Sequence, residues 1–117
     1  MPSFDTVTRL AADLPAVELS TSYGTPALKV KGKLMARLKE DGETLVLRVD
    51  WDERERLLAI HPDVFFMTDH YRSGPWVLMR LGVARPAQLK AGLAHAWRQS
   101  APPRLLAQLK PNEEIAP

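Results

Sequence analysis

The chain has 117 residues, with 16 lysines and arginines, 14 aspartates and glutamates, and a formal net charge of +2. One domain fits this length and two independent cores do not. With no cysteine in the chain, a disulfide scaffold, a thiolate zinc site, an iron–sulfur cluster and a cysteine nucleophile are excluded.

So small a net charge cannot by itself argue for nucleic acid; only a clustering of cations can. No apolar run approaches the roughly 20 residues that span a bilayer. The N-terminal segment carries Asp5, Arg9 and Asp13 and lacks the apolar block of a signal peptide. A cytoplasmic protein with no membrane partner is expected.

Ser3 stands where a helix N-cap belongs. Phe4, Val7, Leu10, Ala11 and Leu14 recur at helical spacing, predicting a helix over 4–13 that Pro15 ends. A strand over 17–23 follows, then a turn at Gly24-Thr25-Pro26. From 27 to 49 the period is two. Leu28 and Val30, then Leu34, Ala36 and Leu38, then Leu45, Leu47 and Val49 fall on one face. Asp41-Gly42 is a strong two-residue hairpin signal, setting Leu38 opposite Leu45 and Ala36 opposite Leu47. A two-residue loop at Lys31-Gly32 would set Lys29 against Leu34 and mix the faces. A three-residue loop, Lys31-Gly32-Lys33, pairs Val30 with Leu34 and Leu28 with Ala36, and the buried face selects it. The result is a three-stranded antiparallel meander.

Asp50 caps a second helix, with Glu53 at the reciprocal position of a capping box. Trp51, Arg54, Leu57 and Leu58 fall on its inner side, and His61-Pro62 closes it. Two further strands, 64–68 and 76–81, flank a polar loop, 69–75, that holds His70, Tyr71, Arg72 and Gly74. Pro86 opens a third helix whose buried stripe is Leu89, Leu93, Ala96 and Trp97. Pro102-Pro103 breaks it, a short helix covers 104–110, and 111–117 is a frayed tail. The predicted class is α+β: one domain over 1–110, a mainly antiparallel sheet with helices packed on one face.

Catalytic signatures are sparse. His61, His70 and His95 have no ligand spacing, and there is no nucleophile elbow, P-loop or dinucleotide fingerprint. Glu40-Asp41-Glu43 and Asp52-Glu53-Glu55 fit turn chemistry and a helix dipole. An enzyme is not expected, nor is a cofactor or a bound metal.

The meander is more informative. Its predicted parity projects Lys29, Lys31, Arg37, Lys39 and Arg48 from the face opposite the core, with Lys33 in the turn. A solvated sheet face is one reading. A surface that neutralises phosphates is the other. Tyr71, Arg72 and Trp76 add rings and a guanidinium able to stack on bases, although Trp76 as the first residue of a core strand is the plainer reading. Tyr23, His70, Tyr71 and Trp76 are a candidate pocket lining.

Four blocks carry a resemblance. They are Ser22-Tyr23-Gly24-Thr25-Pro26-Ala27-Leu28-Lys29-Val30-Lys31-Gly32-Lys33, Asp63-Val64-Phe65-Phe66-Met67-Thr68-Asp69-His70-Tyr71, Pro75-Trp76-Val77-Leu78-Met79-Arg80-Leu81, and Ala94-His95-Ala96-Trp97-Arg98 with Ala101-Pro102. In this order, over about 4–106, they resemble the MmcQ/YjbR-like family. That resemblance implies a YjbR-like α+β domain, similar in shape to secretion chaperones. It also implies DNA binding through a double-wing arrangement of hairpins, with no catalytic residues to carry over. The turns at Lys31-Gly32-Lys33 and at 40–43 fall where wings belong; the first is basic and the second acidic. The expected function is a small DNA-binding module of weak sequence preference. Lys29, Lys31, Lys33, Arg37, Lys39 and Arg48 would supply charge, and Tyr71 and Arg72 would extend the surface. The alternative is a protein-interaction module, a homodimer or partner-docking domain, with no nucleic-acid role.

Overall fold

Alternation of aliphatic and polar residues over 28–49 builds the centre of a six-stranded antiparallel sheet. Its strands are β1 (Val17–Ser22), β2 (Thr25–Val30), β3 (Lys33–Leu38), β4 (Thr44–Arg48), β5 (Phe65–Phe66) and β6 (Trp76–Arg80), in the order β1-β2-β3-β4-β6-β5. The helices are α1 (Phe4–Ala11), α2 (Trp51–Ile60), α3 (Asp69–Arg72), α4 (Pro86–Ser100) and α5 (Pro103–Leu106). The computed structural model describes residues 3–107. The α+β class is as expected, and the proposed tail over 111–117 lies outside the described residues.

Leu28, Val30, Ala36, Leu45, Leu47, Phe65, Val77 and Met79 meet Val7 and Ala11 of α1, Leu57 of α2, and the α4 stripe Leu89, Leu93, Ala96 and Trp97. This is the core, and the α4 stripe falls where helical spacing puts it. Trp97 is 0% exposed. Its indole N–H donates to the Pro15 carbonyl at 2.8 Å, tying α4 to the α1–β1 link. A buried polar N–H needs such a partner, and burying the ring contributes about 2–3 kcal/mol.

The β2–β3 turn corrects the expectation. It is the two-residue turn Lys31-Gly32, with φ of 50° and 83°. Val30 pairs with Lys33, and Lys29 pairs with Leu34. Two left-handed residues match the twist of the flanking strands, and Gly32 adopts that conformation without a Cβ penalty. The face mixing that argued against this turn is repaired by a β-bulge. The register shifts between Leu28 and Lys29, and Leu28 then pairs with Ala36 as expected. Met35, the extra residue, and Ala36 are both fully buried in the core. Lys33 therefore stands opposite Val30, on the core side of the sheet's end, and not in the turn.

Other boundaries also move. The β1–β2 turn is Tyr23-Gly24, with φ of 53° and 78°, and Thr25 and Pro26 already belong to β2. Leu38–Leu45 and Ala36–Leu47 pair as expected, but Lys39 N–H donates to the Thr44 carbonyl at 2.8 Å, so the loop spans 40–43. The Asp41 carboxylate closes that loop, accepting from Glu43 N and Thr44 N at 2.9 Å and from the Thr44 hydroxyl at 2.8 Å. Helix α1 stops at Ala11, short of Asp13. The strand expected over 64–68 is only Phe65–Phe66, and the following loop contains α3. Trp51, expected inside, is 53% exposed at the start of α2 and lies against Arg54. The capping box is half formed. Asp50 accepts from Glu53 N at 2.7 Å, while the Glu53 carboxylate pairs with Arg56. Asp50 N–H faces His95 Nε2 at 3.4 Å, so His95 is packed on the α2 N-terminus.

Candidate nucleic-acid interface

Strand parity that sends Leu28, Ala36, Leu47 and Val77 to the core sends their neighbours to a second face. Ala27, Arg37, Val46, Leu78 and Phe66 form one row across five strands. Ala27, Val46 and Leu78 are buried here without belonging to the main core. On one side of this row lie Lys29, Leu34, Arg48 and Trp76; on the other lie Lys39, Thr44 and Arg80. Successive rows are about 7 Å apart, two residues along a strand.

Arg37, expected in water, is 4% exposed at the centre of this face. Its Nη1 donates to the Tyr71 hydroxyl at 2.7 Å and its Nη2 to Glu40 at 2.9 Å. The guanidinium lies 5.2 Å from the centre of the Tyr23 ring. Tyr23 from the β1–β2 turn and Tyr71 from α3 thus close over it, which is why alternation alone misjudges its exposure. Its Nε is buried and has no hydrogen-bond partner. A backbone hydrogen bond, and then the Arg37 guanidinium, hold the Glu40 carboxyl below its ordinary value.

The other cations also rest on rings. Arg48 lies 4.5 Å from the Trp76 ring centre, and its Nε donates to the Leu34 carbonyl at 2.7 Å. Burial lowers its pKa, but an arginine stays charged at neutral pH. Lys39 Nζ lies 5.8 Å from the Tyr71 ring, and Arg80 4.2 Å from the Phe66 ring. Arg80 is the cation missed in the sequence, although it shares strand parity with Trp76. That tryptophan begins a core strand, β6, as expected, and its side chain projects to this second face. A Cβ on Gly74 would come within 2.7 Å of its ring. Arg54 fixes the same segment from α2, donating to the Gly74 carbonyl at 2.9 Å and the Trp76 carbonyl at 3.2 Å.

Between these groups lies a cleft of about 540 Å³, lined by Tyr23, Leu34, Arg37, Lys39, Val46, His70, Tyr71 and Trp76 among others. It brings together the four residues singled out as a pocket lining. Of the expected contact residues, Arg37, Lys39 and Tyr71 line it, while Lys29 and Arg48 share its face. Arg72 is exposed on α3, 3.5 Å from Asp69. Lys31 and Lys33 are exposed at the far end of the sheet. Successive turns of a meander lie at opposite ends, so the Lys31-Gly32 turn and the loop at 40–43 are about 20 Å apart along β3. A smaller hollow of about 200 Å³ lies on the core side between α2, α4 and the sheet. Its lining includes Leu47, Leu57, Phe65 and Val77 with His61 and His95, and its Arg56 is already engaged by Glu53.

The YjbR family model matches residues 12–99. A solved structure, Deinococcus radiodurans protein DR2400 with its DUF419 domain, has the same fold. It aligns with a TM-score of 0.70 over 97% of this chain and 86% of its own, at 22% sequence identity. No curated protein matches the chain.

Proposed function

The chain belongs to the YjbR family, and we propose that it binds DNA through the second face of its sheet, chiefly by phosphate contacts. The observation that carries this reading is a surplus of positive charge on one face. Lys29, Arg37, Lys39, Arg48 and Arg80 project there, and the ion pair on this face among the described residues is Arg37–Glu40. Glu18, directly across from Lys29, adds one more carboxylate. Lys29, Lys39 and Arg48 meet phosphates directly, with Lys31 at the rim, while buried Arg37 contributes its field from beneath. No pair of side chains is set to read base edges bidentately, so sequence preference is weak.

Fluorescence anisotropy of a labelled oligonucleotide over a salt series tests this. Four such contacts predict a log–log slope of roughly −3 to −4. The double variant Lys29→Glu/Lys39→Glu should weaken binding by roughly tenfold or more at unchanged Tm, each lost contact acting on a salt-sensitive term. Absence of binding at low salt overturns the proposal.

A second reading, self-association, is favoured by β1. It is an edge strand of six residues, and Leu19 on it is 65% exposed. Such an edge is a template for pairing with another copy. A monomeric mass at micromolar concentration by sedimentation would dismiss it.

A further inference from the structure

We infer, building on the nucleic-acid reading, that the cleft beside Tyr23 and Tyr71 holds one unpaired base of a single strand, with the adjoining phosphate at Lys39. Tyr23 is the first observation. It is 85% exposed, so its ring contributes little to the core. It sits at φ 53° in a two-residue turn, a position that favours asparagine or glycine and costs a bulky residue. A large aromatic held out of the core at a strained backbone position is a mark of function. One face of the ring meets the Arg37 guanidinium at 5.2 Å, which fixes its orientation. The rest of it is open to water, a platform ready for stacking.

The chemistry around the platform is that of a nucleotide. Tyr71, His70 and Trp76 supply further ring surface, with Leu34 and Val46 as apolar floor. Lys39 and Arg37 supply positive charge, against one carboxylate, Glu40. Arg37 is itself held in place, its Nη1 donating to Tyr71 and its Nη2 to Glu40. At about 540 Å³ the cleft has the size of a small-molecule site. It accepts one nucleotide. A duplex keeps its bases stacked inside a rigid cylinder and cannot present one to it, whereas single strands are recognised by stacking splayed bases on rings.

The experiment titrates the full chain with a ten-residue thymidine oligonucleotide, a duplex of the same length, and thymidine monophosphate, for wild type and Tyr23→Asn. Asparagine suits the left-handed turn position better than tyrosine, so the variant remains folded and its Tm is unchanged or higher. The single strand should bind roughly tenfold or more tighter than the duplex, the effect expected from one stacked base. Tyr23→Asn should erase that preference while leaving duplex affinity unchanged. Equal affinity for single strand and duplex, or a preference that survives Tyr23→Asn, overturns the base site and leaves DNA binding intact. Monophosphate bound as tightly as the oligonucleotide overturns the strand as its source. Failure of both strand and duplex to bind overturns this inference together with the broader proposal.

Discussion

The two faces of the sheet are built from the same strands, yet they bury their residues by different means. The core face is aliphatic and is covered by α1, α2 and α4, with Trp97 sealed at its centre. The second face buries Ala27, Val46 and Leu78 beside a guanidinium, under two tyrosines from a turn and a four-residue helix. One face is closed by large regular elements whose packing is dense and costly to disturb. The other is closed by single side chains from short elements. Burial alone would have labelled both as core. What distinguishes them is the character of the cover.

Substitutions on the two faces should therefore separate cleanly. The largest effect belongs to the core. Trp97→Ala removes a fully buried ring and its hydrogen bond to Pro15 and should cost about 3–5 kcal/mol in urea unfolding, enough to unfold much of the population. A cost below about 1 kcal/mol, the size of an ordinary surface change, would break the comparison. Next comes the cover of the second face. Tyr71→Phe leaves Arg37 Nη1 without its acceptor and should cost about 1–2 kcal/mol.

A smaller effect belongs to the loop at 40–43. Burial disfavours the charged form of Asp41, but hydrogen bonds from Glu43 N–H, the Thr44 hydroxyl and Thr44 N–H outweigh it and lower its pKa below 3.8. The folded value lies below the unfolded one, so this stabilisation is complete above the unfolded value and is lost as pH falls through the folded one. Asp41→Asn should cost about 0.5 kcal/mol at neutral pH, and the urea midpoints of variant and wild type should converge well below pH 3.8. The smallest change in stability is expected for Tyr23→Asn, whose Tm should not fall because the turn gains what the ring contact loses.

How much of this was legible in the residues depended on whether one element's pattern sufficed. The α4 stripe was, because four apolar residues at helical spacing leave a single face to bury. So were Leu38–Leu45 and Ala36–Leu47, fixed by one turn and one alternation. The β2–β3 turn was not, because a bulge at Met35 restores the face that a two-residue turn disrupts, and the alternation cannot reveal two compensating shifts. Arg37 was placed on the right side of the sheet but wrongly in water. Parity says which way a side chain points. It is silent on what arrives from elsewhere to cover it, here Tyr71, 34 positions away. The cleft was anticipated as a set of residues, and its depth follows from α3, which the polar composition of 69–75 concealed.

Amide chemical-shift mapping of the isotopically labelled chain, titrated with the thymidine oligonucleotide, tests the division between the two faces most directly. Perturbations should gather at Tyr23, Arg37, Lys39, Tyr71 and the Trp76 indole, and leave Lys90, Leu93 and Trp97 on α4 unmoved. Perturbations centred on α1 and α4, with the Tyr23–Tyr71 cleft silent, would contradict it.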